Sequence, residues 1–338
     1  MRSQIEYPDE ALPPLGTTLR VAAGIEWLRM PLPFALDHIN LWLIAEGDAW
    51  VAIDTGIALD NVKDCWRSVL HGRRLSRQIV THFHPDHLGL AAWLEQETGA
   101  PLLMTQDEYI AAQSVIDQVP PFDAGTMMDF FADHGLQQHW LDALKQRGNG
   151  YRRGVPAVPA TYQRIQDGDV MAIGTHDWRV MVGRGHAPEH ASLYCGDLGV
   201  LIAGDMLLPR ISTNVSAFAS QPERDALGDF LDSIRAFTAL PEDTLVLPSH
   251  GLPFRGVHYR VNQLVEHHAA RCDELVAACD EPRTAAELLP VLFRRELKDA
   301  HQVMFAMGEA IAHLVHLEHQ QQLEHQRNDG ISRFVRRS

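Results

Sequence analysis

A layered α/β protein is what this 338-residue sequence predicts, on three observations. Short apolar runs of β character crowd its N-terminal part. A strand–helix–strand alternation follows them. After a helical stretch the β pattern returns, punctuated by Gly-Asp and Asp-Gly turns. Residues 1–19 are polar and proline-rich and read as an arm. "GIEWLRMPL" (24–32), "INLWLIAEG" (39–47) and "AWVAIDTG" (49–56) read as strands, with "EGDAW" as a hairpin turn. In 59–70, Leu59, Val62, Trp66 and Val69 share one helical face. "RQIVTHF" (77–83) is a strand, 87–99 a helix closed by Gly99, and "PLLMT" (101–105) the next strand.

Residues 106–150 read as inserted helices, and 148–160 as a loop. From residue 162 come four β-like runs, an amphipathic helix at 225–240 and a last strand, "TLVLPSHG" (244–251). Helical patterns then occupy 260–279, 284–293 and 300–322, the second opened by a capping box at Thr284. "LEHQRNDGISRFV" (323–335) reads as a hairpin turning at Asn328-Asp329-Gly330. The expected organisation is a main domain over 20–257 and a small winged-helix-like domain over 258–338.

Charge narrows the function. Asp plus Glu number 44 against 29 Lys plus Arg, a formal charge of −15, which repels phosphate backbones at long range. The four cysteines are scattered without a C-x-x-C, so reduced thiols and a cytoplasmic setting are expected. Neither a signal peptide nor a membrane span is read in the sequence.

The chemistry is concentrated in "THFHPDHLG" (81–89). His82, His84, Asp86 and His87 follow a β-like run, and imidazole and carboxylate are ligands for zinc and its neighbours. Pro85 bends the segment, so two ligands can serve one metal and two another. Asp54, His186, Asp205 and His250 each follow a further apolar run, which marks the rim of a sheet.

These motifs resemble those of the metallo-β-lactamase superfamily: "AIDTG", "THFHPDH", "GRGHAPEH", "LIAGD" and "LPSHG", spread over about residues 20–257. The resemblance implies an αββα sandwich of two similar halves with two divalent metals at one edge, zinc first, iron or manganese as alternatives. It implies that His82, His84 and His186 bind one metal, that Asp86, His87 and His250 bind the other, and that Asp205 bridges them. Asp54 is expected to brace the ligand loop, and His190 to pack or hydrogen-bond. The activity implied is hydrolysis by a metal-bridging hydroxide, with Asp86 orienting the nucleophile and shuttling its proton. Antibiotic-degrading members generally lack an aspartate at the position of Asp205. Its presence points to thioesterases like glyoxalase II, to lactonases, or to phosphodiesterases and nucleases. Arg184 and Glu189 stand where relatives often read "PGH".

Weaker features fill in the substrate side. Tyr151, Arg152 and Arg153 in "GYRRG" form a candidate clamp for an anionic substrate group. His313, His316 and His319 recur every three residues and read as a solvated helix face. The substrate expected is a small acyl compound: thioester, ester or lactone. Phosphodiester or RNA cleavage is the alternative, raised by the C-terminal module and opposed by the charge. A homodimer is compatible with the sequence.

Overall fold

A computed structural model of the chain describes residues 4–34, 36–294 and 296–337, and the statements below concern these residues. The first sheet is built from β1 (Leu19–Ala22), β2 (Ile25–Pro31), β3 (His38–Glu46), β4 (Ala49–Ile53), β5 (Leu75–Ile79), β6 (Leu102–Met104) and β7 (Gln163–Arg164), in that spatial order. Its first four strands are antiparallel, and β4 to β7 run parallel. The parallel pairs need crossovers, and α1 (Asp60–Val69), α2 (Pro85–Leu88) and α3 (Ala91–Thr98) lie within them. After β6 come α4 (Gln106–Asp117), α5 (Ala124–Asp133), α6 (Gln138–Arg147) and α7 (Gly150–Gly154).

The second sheet holds β8 (Val170–Ile173), β9 (His176–Gly183), β10 (His190–Cys195), β11 (Val200–Gly204) and β12 (Leu245–Pro248), ordered β12-β11-β10-β9-β8. Only its β11–β12 pair is parallel, with α8 (Ala226–Ala236) in the connection. Alternation along the strands explains the layers. Ile25, Trp27, Trp42, Ile44, Val51 and Ile53 from the first sheet share one core with Trp178, Val180, Leu193, Ile202 and Leu247 from the second. The intervening residues Leu28, Met30, Leu41, Leu43 and Ala52 face a second core with Val62 and Trp66 of α1 and Leu94 of α3. Leu201, Ala203 and Val246 are buried too, so the second sheet is also covered on both faces.

Contacts divide the chain into two compact units that are discontinuous in sequence. One comprises 1–116, 151–213 and 233–261 and contains both sheets; the other comprises 117–150, 214–232 and 262–338. The second unit therefore gathers α5 and α6 with α9 (Val257–Ala278, from residue 262), α10 (Ala285–Leu292), α11 (Ala300–His319) and the hairpin β13 (Leu323–Asn328)–β14 (Ile331–Arg336). Within it α6 packs on α11, and α5 on β14. The Thr284 capping box forms with Glu287. Asp329 and Gly330, with φ of 51° and 82°, make the left-handed turn the hairpin requires.

Three local expectations are corrected. The helix at 87–99 is two helices, because the segment after β4 takes its backbone groups: Thr55 N donates to His87 O at 2.8 Å, and Leu90 N donates to Gly56 O at 3.0 Å. The loop at 148–160 contains the short helix α7. The histidines of α11 do not form a solvated face. His313 is fully buried, donates through Nδ1 to Glu309 O at 2.8 Å, and lies 3.1 Å from His268 Nδ1 through Nε2. His316 pairs with Asp225 at 2.9 Å. Only His319 of the three is exposed. Helix α11 is buried almost all round, so burial keeps His313 neutral, its pKa lowered to about 4.

One buried side chain ties the two sheets together. Asn40 of β3 accepts from Trp27 Nε1 at 2.9 Å and donates to Pro248 O at 2.9 Å and Gly251 O at 2.7 Å. Its donors hold the loop that carries His250. Asn40→Ala orphans two buried polar groups and one half-buried carbonyl, and a loss of roughly 2–5 kcal/mol is expected. A denaturant midpoint shift worth under about 1 kcal/mol at unchanged slope would refute this role for Asn40.

Candidate metal centre

Every candidate ligand stands at one edge, where strands end. Asp54 follows β4, the 80–88 segment follows β5, His186 follows β9, Asp205 follows β11 and His250 follows β12. The structure brings all seven expected ligands into two groups: His82, His84, His186 and Asp205, and Asp86, His87 and His250. His82 Nε2 and His186 Nε2 are 3.2 Å apart, and Asp205 Oδ2 is 3.4 Å from His186 Nε2 and 4.0 Å from His82 Nε2. In the second group His250 Nε2 is 3.5 Å from Asp86 Oδ2, and His87 Nε2 is 3.7 Å from it. Asp205 Oδ1 reaches both second-group histidines, at 3.6 Å from His87 and 3.5 Å from His250.

These spacings fit metal binding. Donors at about 2.0–2.1 Å from one tetrahedral ion stand about 3.3 Å from each other. His87 Nε2 and Asp205 Oδ1 are buried with no hydrogen-bond partner. Such atoms are costly unless a ligand satisfies them. The donor set is imidazole and carboxylate alone; the four cysteines are buried and free, and none joins either group.

Charge supports the same reading. Burial opposes protonation of His87, but Asp54, Asp86 and Asp205 outweigh it and raise its pKa well above the imidazole range. His250 is raised for like reasons, against burial, by Asp205 and Asp86. Burial would raise the Asp86 carboxyl, yet His87 and His250 bring it down to about 2. His82 and His84 go the other way: burial and neighbouring histidines lower both, His84 to about 3. The pocket thus asks for positive charge beside its carboxylates and offers neutral imidazoles beside it.

The outer contacts fix which nitrogen faces inward. Asp54 Oδ2 accepts from His87 Nδ1 at 2.8 Å, and Asp54 Oδ1 accepts from Thr81 N at 2.8 Å. His250 Nδ1 donates to His38 O at 2.8 Å. Both histidines therefore present Nε2 to the centre. His190 accepts from Asp205 N through Nε2 at 3.1 Å, so it holds the shared aspartate rather than joining a ligand group. Thr213 Oγ1 donates to Asp205 O at 2.5 Å, and Arg260 donates to Leu208 O and Ile211 O, which secures the segment after Asp205.

Of the "GYRRG" residues, Tyr151 donates its hydroxyl to Phe83 O at 2.5 Å and its ring lies 5.8 Å from that of Phe83. Arg152 and Arg153 are exposed. Gly154 packs on the ligand loop so closely that a Cβ there would lie 2.7 Å from Pro85 Cβ. Glu108 escaped sequence reasoning. It is fully buried on α4 and accepts from Phe83 N at 2.9 Å and from Glu189 N at 2.6 Å. Burial raises its carboxyl to about 8, with the two N–H groups pulling the other way. A single glutamate in a helical pattern carries no signal of this. His38 also escaped it: its carbonyl accepts from His250 Nδ1 at 2.8 Å and its Nε2 from Gly251 N at 3.1 Å, and neither contact leaves a sequence pattern.

Comparison with known proteins agrees with the geometry. Residues 35–250 match the family model described as "Metallo-beta-lactamase superfamily", and residues 272–337 match "Metallo-beta-lactamase-like, C-terminal domain". A beta-lactamase domain protein from Burkholderia ambifaria, known as a crystal structure, is 42% identical and superposes with a TM-score of 0.91 over 98% of each chain. A metallo-beta-lactamase family protein from Thermus thermophilus is 28% identical, with a TM-score of 0.78 over 93% of this chain and 99% of that one. The probable metallo-hydrolase YqjP of Bacillus subtilis is 26% identical over 86% of this chain and 91% of its own length. Among the described residues no helix is long and apolar enough to cross a membrane.

Asp54→Asn keeps the shape but presents a donor where either Thr81 N or His87 Nδ1 needs an acceptor. Metal affinity is expected to fall about 10–100-fold. Chelator competition reads this directly, and an affinity within about twofold of the parent would remove Asp54 as a brace.

Proposed function

Because the chain belongs to the metallo-β-lactamase superfamily, we propose that it is a hydrolase that uses two divalent ions, zinc first, on a small acyl substrate: a thioester, an ester or a lactone. The observation that carries this reading is Asp205. One carboxylate stands within 3.4–3.6 Å of His186, His87 and His250, so it joins the two donor groups into one centre. When bound, two divalent ions would supply Lewis acidity, which makes a water a better nucleophile at neutral pH and polarises the scissile bond. The protein's own residues do the rest. His82, His84, His186, His87 and His250 would hold the ions through ring nitrogens. Asp86 is the more accessible of the two ligand carboxylates, its side chain 20% exposed against 11% for Asp205. Held ionised, its Oδ atoms can take a proton from the attacking water and return it to the leaving group.

Two features favour acyl over phosphodiester substrates. Curated relatives from Cereibacter sphaeroides and Rhodospirillum rubrum bear the name hydroxyacylglutathione hydrolase, at 23% and 26% identity over 52% and 38% of this chain. A formal charge of −15 disfavours a polyanion. Arg152 and Arg153, exposed on the helix packed against the ligand loop, suit the anionic end of a small thioester.

A substrate panel tests the reading: glutathione and CoA thioesters, aryl esters, lactones, bis-p-nitrophenyl phosphate and single-stranded RNA, with zinc, manganese and iron in turn. Acyl substrates are expected to lead in kcat/KM by about tenfold or more; a phosphodiester in front reverses the assignment. His84→Ala and Asp86→Ala should each lower kcat/KM by about 100-fold or more with an unchanged circular dichroism spectrum. Arg152→Ala combined with Arg153→Ala should raise KM several-fold for anionic thioesters and leave neutral esters alone. Equal effects on both classes would rule out charge recognition.

A further inference from the structure

Both donor groups touch the Asp54–Thr81 pair, since Thr81 Oγ1 lies 3.0 Å from His82 Nδ1 and 3.2 Å from His87 Nδ1, but only the first is also tied by Glu108. His82 and His84 come from the segment after β5, and His186 from the segment after β9. Between His82 and His84 stands Phe83; three residues beyond His186 stands Glu189, next to His190. Neither Phe83 nor Glu189 lies in a helix or strand, so no ladder fixes their backbones. Side chains do so instead. Glu108 Oε2 accepts from Phe83 N at 2.9 Å, and Glu108 Oε1 accepts from Glu189 N at 2.6 Å. The matching carbonyls are also satisfied: Tyr151 donates to Phe83 O at 2.5 Å, and Thr105 donates to Glu189 O at 2.8 Å. Asp107 N donates to Glu189 Oε2 at 3.3 Å, so the start of α4 is stitched to Glu189 three times. One fully buried carboxyl group thus joins the two segments that carry the first group.

The second group is held without Glu108. Asp54 orients His87, and the carbonyl of His38 orients His250. We propose that Glu108 is a positioning residue for one ion only: it sets the spacing between the 82–84 and 186–190 segments on which convergence of His82, His84 and His186 depends. This rests on the two-ion reading above. Glutamate is specifically required, because two backbone N–H groups need two acceptors. Glutamine would turn one of its atoms into a donor facing a donor.

The test reads metal, not turnover. The full-length protein, stripped and titrated with zinc against a chelator, should bind two ions with two resolvable constants. In Glu108→Gln one constant should weaken about 10–100-fold and the other stay within about threefold. Titration with cobalt should show the visible band of one site lost at equimolar metal while the other persists. Tyr151→Phe, which removes only the donor to Phe83 O, should weaken the same constant by several-fold, and decides the matter if the glutamine variant does not fold. Equal weakening of both constants, or none, overturns the proposal. A parent protein that binds a single ion overturns the two-ion reading itself.

Discussion

Three carboxylates, Asp54, Asp86 and Asp205, gather at the shared edge of two sheets, and the rest of the site answers to them. Asp54 is 2% exposed and Asp205 7%. Such charges are tolerated in a protein interior only when positive charge and donors meet them. Here Asp54 is met by Thr81 and His87, while Asp205 Oδ1 has no hydrogen-bond partner. His87 and His250 respond by holding protons against burial. Divalent ions would supply that positive charge more compactly and leave the same histidines free to be ligands. The sheets, the Asn40 bridge and the crossovers keep the carboxylates together long enough for this to matter.

The two sheets solve the placement problem in the same way. β4 and β5 are a parallel pair, as are β11 and β12. In each pair an aspartate follows the first strand, Asp54 or Asp205, and a histidine of the donor groups follows the second, in the 82–87 segment or at His250. The equivalent aspartates nevertheless do different work. Asp54 has φ of 62° and both its oxygens are taken by Thr81 and His87, so it acts from behind. Asp205 has its backbone N–H held by His190 and its carbonyl by Thr213, which leaves the carboxylate to face both groups. Equal position in a strand does not decide a role; the hydrogen bonds around it do.

How much of this the sequence revealed follows from what leaves a periodic or compositional trace. The strands 39–47 and 49–56 were legible because burial on two faces demands apolar runs. The clustering was legible because seven histidines and aspartates at strand ends are improbable otherwise. The break between α2 and α3 was not, since it arises when Thr55 and Gly56 take backbone groups that a helix would use. The grouping of 117–150 with the C-terminal helices was not, because packing between segments distant in sequence leaves no local pattern. His313 misled for a related reason. A histidine every third residue marks one helical face, but periodicity alone does not say whether that face meets water or another helix.

Glu108 is the sharpest instance, and it shows where precision in such a site comes from. Ligand residues are conspicuous because the ion dictates their chemistry. A brace can be any group of the right polarity at the right place, drawn from whatever element passes by. Two irregular segments carrying three imidazoles would wander by more than the few tenths of an ångström a tetrahedral ion tolerates. Strand ladders end before His82 and before His186, so the last turns of the chain need fixing by side chains. Glu108, Tyr151 and Thr105 satisfy all four backbone groups of Phe83 and Glu189. With the centre rigid, discrimination among substrates falls to residues outside it, and the exposed arginines of α7 stand on a helix that this same packing holds against the ligand loop.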